Sequence, residues 1–290
     1  VVQIIDGRKL AAQVIQETAE QVRALRESVG ISTGLAVILV GHDPASEIYV
    51  RRKIAQCAKA GIISFEHRLP VDCTQEELIS IIDQLNARSD VHGILVQLPL
   101  PAHIKDSVVL DRIAPFKDVD GFHPVNVGRL STGTGGLVPC TPLGVMMILD
   151  TLIEDYSGLN AVVIGKSNIV GKPISMLLLE REATVTVTHI QTRDLHDITR
   201  KADIVVAAAG APHLVRGYWV KPGAVVIDVG ITRVALPNGA TEIRGDCATD
   251  ELGHARAITP VPGGVGPMTI ACLLANTAQA AFRSTEATSS

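Results

Sequence analysis

Four short apolar runs govern what this chain can fold into: AVVIG at 161–165, TVTVT at 184–188, IVVAA at 204–208 and AVVIDV at 224–229. Helical segments separate the earlier ones, and strands alternating with helices at this spacing imply βαβ units and a parallel sheet. The same alternation occupies the first third of the chain. Ala11, Ile15, Ala19, Val22 and Leu25 recur at helical period across 7–28, and LAVILV at 35–40, bounded by glycines, is a short buried strand. Asp43 and Pro44 open the next helix, which carries Tyr49 and Lys53 and stops near Gly61. TQEE, from Thr74 to Glu77, has capping-box spacing and opens a third helix. GILVQLPLP at 93–101 is a strand that runs into a proline-rich turn.

A chain of 290 residues exceeds what one core needs, so two domains, or one with a large lobe, are expected. DVDGFHPVNVGRLSTGTGGLVPCTP, 118–142, separates the halves; a connection this long without clear periodicity is a functional or hinge segment. RSTEATSS reads as a frayed tail. With 47% hydrophobic and 19% charged residues the composition is that of a soluble globular protein. No apolar run approaches the roughly eighteen residues of a bilayer span, and VVQIIDGRKL lacks a secretory signal pattern. Cys57, Cys73, Cys140, Cys247 and Cys272 have no short paired spacing, which argues against a disulfide framework or zinc knuckle and for reduced cytoplasmic thiols. The nine histidines form no ligand-like pair, so no metal site is expected. A formal charge of −4, no basic run and 3% aromatic residues leave no footprint for a nucleic-acid surface; a small-molecule partner is expected.

Chemistry concentrates where a strand meets a helix. AVVIG runs into GKSNIVGKP, 165–173, and then into ISMLLLE. Glycines there permit a tight turn, and the helix N-terminus offers backbone N–H groups to a pyrophosphate. The pattern is not G-x-G-x-x-G, because Ser167 takes the place of the second glycine and Gly171 falls one residue late. A plain strand-to-helix turn is the alternative. After TVTVT come His189, Ile190 and Gln191, with no carboxylate at the tip to hold a ribose 2′-OH. Lys166, His189 and Arg193 can attract a 2′-phosphate, which favours NADP while leaving NAD possible. Tyr49 and Lys53 share a helical face, Gln97 ends a strand, and Asp120 lies in the connection. On pattern alone each is more often a solvated, turn or capping residue than a functional one.

Six segments together are more specific: DPASEIYVRRK with its Tyr-x-x-x-Lys, GILVQLPLP, KDVDGFHPVNVG, PCTPLGV, GKSNIVGKP and TPVPGGVGPMT. In this order they resemble the bifunctional methylenetetrahydrofolate dehydrogenase/cyclohydrolase family, the bacterial FolD type, over nearly the whole chain. The resemblance implies two α/β domains with a cleft between them: a folate-binding catalytic domain of 1–118 with 265–290, and a Rossmann-like NAD(P) domain of 119–264 with a mostly parallel sheet. It implies oxidation of 5,10-methylenetetrahydrofolate to the methenyl cation with NADP, then hydrolysis to 10-formyltetrahydrofolate, in a cytoplasmic homodimer. The apolar strands TVTVT and AVVIDV belong to a sheet expected to have an edge needing cover, which suits that association. Carried over by residue, Lys53 is the catalytic lysine, Gln97 its partner, Tyr49 the ring orienting the folate and Asp120 the pterin hydrogen-bonder. Leu98, Pro262, Gly263 and Gly264 flank the substrate. Thr141, Gly165, Lys166, Ser167, Ile169, Val170, Gly171, His189, Ile190, Gly230 and Ile231 serve the cofactor. The chain departs from the family where Arg is usual at Lys166 and His-Ser at His189-Ile190, both near the expected 2′-phosphate. Two other readings are a dehydrogenase lacking the cyclohydrolase step and a catalytically silent nucleotide-binding protein.

Overall fold

The computed structural model describes residues 2–237 and 239–288, with side chains described as far as 286. The chain forms two compact units, one of Val1–Ala11 with Thr141–Thr269, the other of Ala12–Cys140 with Ile270–Ser290.

The chain opens on a two-residue strand, β1 (Gln3–Ile4), and a long helix, α1 (Gly7–Val29), whose first N–H groups are taken by the Asp6 carboxylate. The unit containing 12–140 is built on three parallel strands, β2 (Gly34–Val40), β3 (Ile63–Leu69) and β4 (Gly93–Val96), in the order β3-β2-β4. β2 is the central strand and every residue of GLAVILV is buried, which is why it reads as one unbroken apolar run. The crossovers are α2 (Pro44–Lys59) and α3 (Gln75–Ala87). Asp43 caps α2 by accepting the Ser46 N–H at 2.7 Å, and Thr74 with Glu77 forms the capping box of α3. Leu78, Ile82 and Leu85 put the apolar stripe of α3 into a core with Ile38, Ile94 and Val96. Each such side chain contributes about 1.5–3 kcal/mol when fully buried. Ile82→Ala is the single change that would open a cavity in the middle of this stripe.

Beyond β4 come α4 (Asp106–Arg112) and α5 (Pro124–Thr132). The second lies inside 118–142, the connection whose sequence shows no clear periodicity. His123 caps α5 by accepting the Val125 N–H at 3.1 Å, Pro124 opens it and Gly133, at φ 64°, ends it. Before it, buried Lys117 donates to the carbonyls of Leu85, Asn86 and Arg88 at 3.1, 2.9 and 2.6 Å, closing the C-terminal end of α3.

The other unit follows from α6 (Cys140–Asp150) onward. Its elements are β5 (Asn160–Ile164), α7 (Gly171–Glu180), β6 (Thr184–Thr188), α8 (Leu195–Thr199), β7 (Ile204–Ala207), β8 (Val225–Asp228), an antiparallel pair β9 (Thr232–Ala235) and β10 (Thr241–Arg244), β11 (Ala257–Ile258), and then α9 (Val265–Thr288). Six strands form one sheet in the order β1-β11-β8-β7-β5-β6, with every pairing parallel. The chain steps outward from β5 to β6 and then returns past β5 to β7. That reversal is where open α/β sheets bind ligands, at the carboxyl ends of the strands.

The sheet that holds TVTVT and AVVIDV has β6 at one edge, while β8 has neighbours on both sides. The observed units differ from divisions at 118/119 and 264/265. Residues 1–11 join the larger sheet because β1 pairs with β11, while 119–140 stay with the β2 unit, tied by the hydrogen bond from Ile94 N–H to Lys117 C=O and by Asn276. One helix, Val265–Glu286, is long and apolar enough to cross a membrane; 61% of its most apolar window is buried inside the protein, as in a core helix. Thr269, Asn276 and Thr277 interrupt its apolar run in sequence without lowering its overall hydropathy below that test. The expected tail is helical as far as Thr288, and its last two residues lie outside the described ones.

Candidate active site

In α2 the buried positions are Ser46, Val50, Lys53 and Cys57, a spacing of four, three and four that marks one helical stripe. Lys53 is therefore the lysine on the inward face, 8% exposed, whereas Arg51 and Arg52 are exposed. A buried lysine requires partners. Its Nζ donates to Gln97 Oε1 at 3.0 Å, and Gln97 Nε2 donates to Leu98 C=O at 2.8 Å, which fixes the amide with its oxygen toward the lysine. The Gln97 N–H continues the ladder to Ile38 C=O, so a strand end sets the height of this side chain. Tyr49, one turn before Lys53, is 36% exposed.

Asp120 belongs to the same unit. Burial pushes its carboxyl up to about 6; the Lys53 ammonium works against that, Asp118 adds to it, and a hydrogen bond from Cys140 opposes it. Gly121, at φ 74°, makes the turn that follows, and a Cβ there would strike the backbone of 138 and 139. Cys140 Sγ donates to Val119 C=O at 3.2 Å and approaches Asp120 Oδ1 at 3.8 Å. Buried Asn276 of α9 donates to Val119 C=O and Val138 C=O, both at 2.8 Å. Cys140 and Asn276 thus hold the peptide that carries Asp120. Neither was expected from the sequence; an amide inside the apolar run ACLLANTAQAAF is the signal that marks Asn276. None of the five cysteines is in a disulfide and all are buried, and burial pushes Cys57 up to about 12, so its thiol is unreactive.

In the other unit the β5–α7 turn is built for close approach. A Cβ at Gly165 would overlap the Ala208 carbonyl oxygen, and one at Gly171 would overlap the Gly165 carbonyl oxygen, so both positions require glycine. Ser167 Oγ accepts the N–H groups of Val170 and Gly171 at 3.2 and 3.3 Å. Lys166, Ser167, Asn168 and Ile169 are exposed, and among the described residues their amides have no protein acceptor. The residues present fit a pyrophosphate: free N–H groups, a helix N-terminus and Lys166. Past β6, His189 is partly buried and Ile190 is 95% exposed, with no acidic residue before Asp194. Gly230 follows β8, Ile231 is half exposed, and Thr141 exchanges a 2.9 Å hydroxyl contact with Thr269. Pro262, Gly263 and Gly264 lie in this unit too, in the turn before α9, where a Cβ on Gly7 would overlap the Gly264 carbonyl oxygen. Of the expected residues, Lys53, Tyr49, Gln97, Leu98 and Asp120 fall in one unit and all the others in its companion.

Residues 5–120 match the catalytic domain of tetrahydrofolate dehydrogenase/cyclohydrolase, and residues 139–285 match the NAD(P)-binding domain of the same enzymes. The chain belongs to the tetrahydrofolate dehydrogenase/cyclohydrolase family. Bifunctional protein FolD 2 of Rhizorhabdus wittichii is 69% identical over 277 residues, covering 96% of this chain and 93% of that protein. Among solved structures, the bifunctional FolD enzyme of Campylobacter jejuni superposes with a TM-score of 0.93 at 48% identity, covering 98% of this chain and all of that one. The methylenetetrahydrofolate dehydrogenase-cyclohydrolase of Trypanosoma brucei, solved with NADP and an inhibitor, gives 0.93 at 43% identity, with 98% of each chain covered. As a family member the chain carries both α/β domains, in agreement with the reading of its six segments.

Proposed function

We propose that this protein oxidises 5,10-methylenetetrahydrofolate to the 5,10-methenyl cation with NADP, and hydrolyses that cation to 10-formyltetrahydrofolate. The observation that carries the reading is the buried Lys53 amine bonded to an amide whose orientation is fixed by Leu98. NADP supplies the hydride acceptor. In the oxidation a nitrogen lone pair of the substrate supports the developing cation, so the protein contributes position rather than an acid or base. Tyr49 covers the folate, and Asp120 accepts hydrogen bonds from the pterin.

Hydrolysis needs proton transfer. The water oxygen bonds to the bridging carbon and in all loses two protons as it becomes the formyl oxygen, the carbon–N5 bond breaks, and N5 takes up one proton; overall one proton is released. Lys53 is the group placed to carry these protons, and Gln97 aims it. Lys53→Met should abolish methenyl hydrolysis and leave part of the hydride transfer. Hydrolysis within roughly tenfold of wild type, a change of about 1.4 kcal/mol, in a folded variant would exclude Lys53 from the mechanism. Paired assays also separate the reading from a dehydrogenase without the second step.

NADP rather than NAD is supported by the uncharged tip of β6 and by Lys166. Five buried cysteines outside any disulfide suit a reducing compartment, and we assign the protein to the cytoplasm. A homodimer is supported by the edge strand β6, where Val187 is 41% exposed, and by exposed Met176 and Leu179 of α7. Sedimentation should give twice the chain mass at micromolar concentration; a monomer there would reject the assignment.

A further inference from the structure

The carboxyl end of β7 is held by a carboxylate from a distant part of the chain. Asp246 is fully buried; its Oδ2 accepts the N–H groups of Ala209 and Gly210 at 2.6 and 3.0 Å, and its Oδ1 that of Ala211 at 2.9 Å. A Cβ on Gly230 would overlap the same carboxylate, so Asp246 backs the loop after β8 as well as the loop after β7. Asp246 is itself held in place. Its N–H and that of Cys247 donate to the two oxygens of buried Asp228, at 2.9 and 2.8 Å, and Gly230 N–H donates to Asp228 Oδ1 at 2.9 Å. Buried carboxylates are costly unless fully bonded, and this pair is bonded by backbone on every side.

Peptide geometry then dictates what the β7 loop presents. Among the described residues the cis peptide bonds are Leu98–Pro99 and Val261–Pro262, so the peptides joining 208 to 211 are trans. In a trans peptide the C=O points opposite to the N–H. Three N–H groups drawn toward Asp246 therefore aim the carbonyls of Ala208, Ala209 and Gly210 away from it. The first of these lies against Gly165. The loop accordingly flanks the phosphate turn at the reversal between β5 and β7. It presents acceptors, suited to hydroxyl or carboxamide donors and unsuited to phosphate, whereas the free amides of 166–169 have the opposite character.

We infer that Asp246 is a positioning residue for the dehydrogenase step, fixing the acceptor loop 208–211 against the ribose–nicotinamide end of the bound dinucleotide. The inference rests on the nucleotide reading given above. Asp246→Asn keeps the shape and sets an NH2 among N–H donors. It should lower dehydrogenase kcat/KM for NADP by about 10- to 100-fold, while binding of adenosine 2′,5′-bisphosphate, which lacks the ribose–nicotinamide half, and hydrolysis of supplied methenyltetrahydrofolate are unchanged. Dehydrogenation within about threefold of wild type, or a parallel fall in both activities and in bisphosphate binding, would overturn the inference. Hydrogen exchange on the wild-type protein gives a test that needs no variant: the amides of 209–211 should be as protected as those of β7, and rapid exchange would overturn it. Wild-type protein with neither activity would overturn the functional reading and this inference together, whereas normal wild-type turnover with an unaffected Asp246→Asn overturns the inference alone.

Discussion

Asp120 is asked to be an anion in a place that disfavours one, and the conflict can be measured. Burial raises its carboxyl from the ordinary 3.8 to about 6, a difference of about two pH units at about 1.36 kcal/mol each, or roughly 3 kcal/mol. That is an upper bound, because Asp120 is only partly buried and solvent screens some of the cost. The sign follows from the direction of the shift. A carboxyl whose folded pKa is raised contributes stability that is fully present below about 3.8 and is lost as pH rises through about 6. Asp120→Asn, which has no charge to bury, should therefore gain on wild type as pH rises from 4 to 7.5, by up to roughly 3 kcal/mol. The same variant should bind folate poorly at every pH, since its amide cannot replace a carboxylate acceptor. Urea unfolding of both proteins across that range reads the difference free of other titrating groups. A difference that is flat within about 0.5 kcal/mol would refute the burial argument. Lys53→Met supplies a second check: without the ammonium that opposes the shift, the rise should move to higher pH.

Lys117→Met leaves the carbonyls of Leu85, Asn86 and Arg88 without their shared donor and should cost about 3 kcal/mol of stability; a loss below about 1 kcal/mol in urea unfolding would show that the α3 terminus does not depend on it. Lys166→Glu places a carboxylate where a 2′-phosphate is expected, so the ratio of kcat/KM for NADP to that for NAD should fall by at least tenfold, about 1.4 kcal/mol. Wild-type enzyme that uses NAD as well as NADP would show the charge argument to be wrong.

Elements with a self-contained pattern are legible in the sequence. β2 is apolar from end to end, Thr74 and Glu77 announce the start of α3, and Asp43–Pro44 that of α2. What cannot be read depends on partners far along the chain. β1 and β11 are two residues each and exist because Gln3 and Ile4 pair with Ala257 and Ile258. α5 hides because Gly128 and its polar residues obscure its period, and its N-cap is His123 rather than Ser, Thr, Asp or Asn. The site shows the same division. The spacing of Tyr49 and Lys53 is visible, but the side on which Lys53 lies is not, because Ser46 and Cys57 do not announce a buried stripe. Gln97 and Asp120 stand out by position at a strand end and in the central connection. Cys140, Asn276, Asp228 and Asp246 act through backbone groups, and no local pattern records which distant amide or carbonyl a side chain will meet.

The chain passes from one unit to the other at 11/12, 140/141 and 269/270; the first and last passages fall inside α1 and α9, and the middle one at the first residue of α6. A protease that needs a locally extended strand of substrate finds none inside α1 or α9 without first unwinding helical turns. Limited digestion should therefore spare the crossings in α1 and α9. Expressing 12–140 alone would omit Asn276 and with it the anchor of Asp120, so a minimal fragment of the folate unit has to be made as two pieces supplied together.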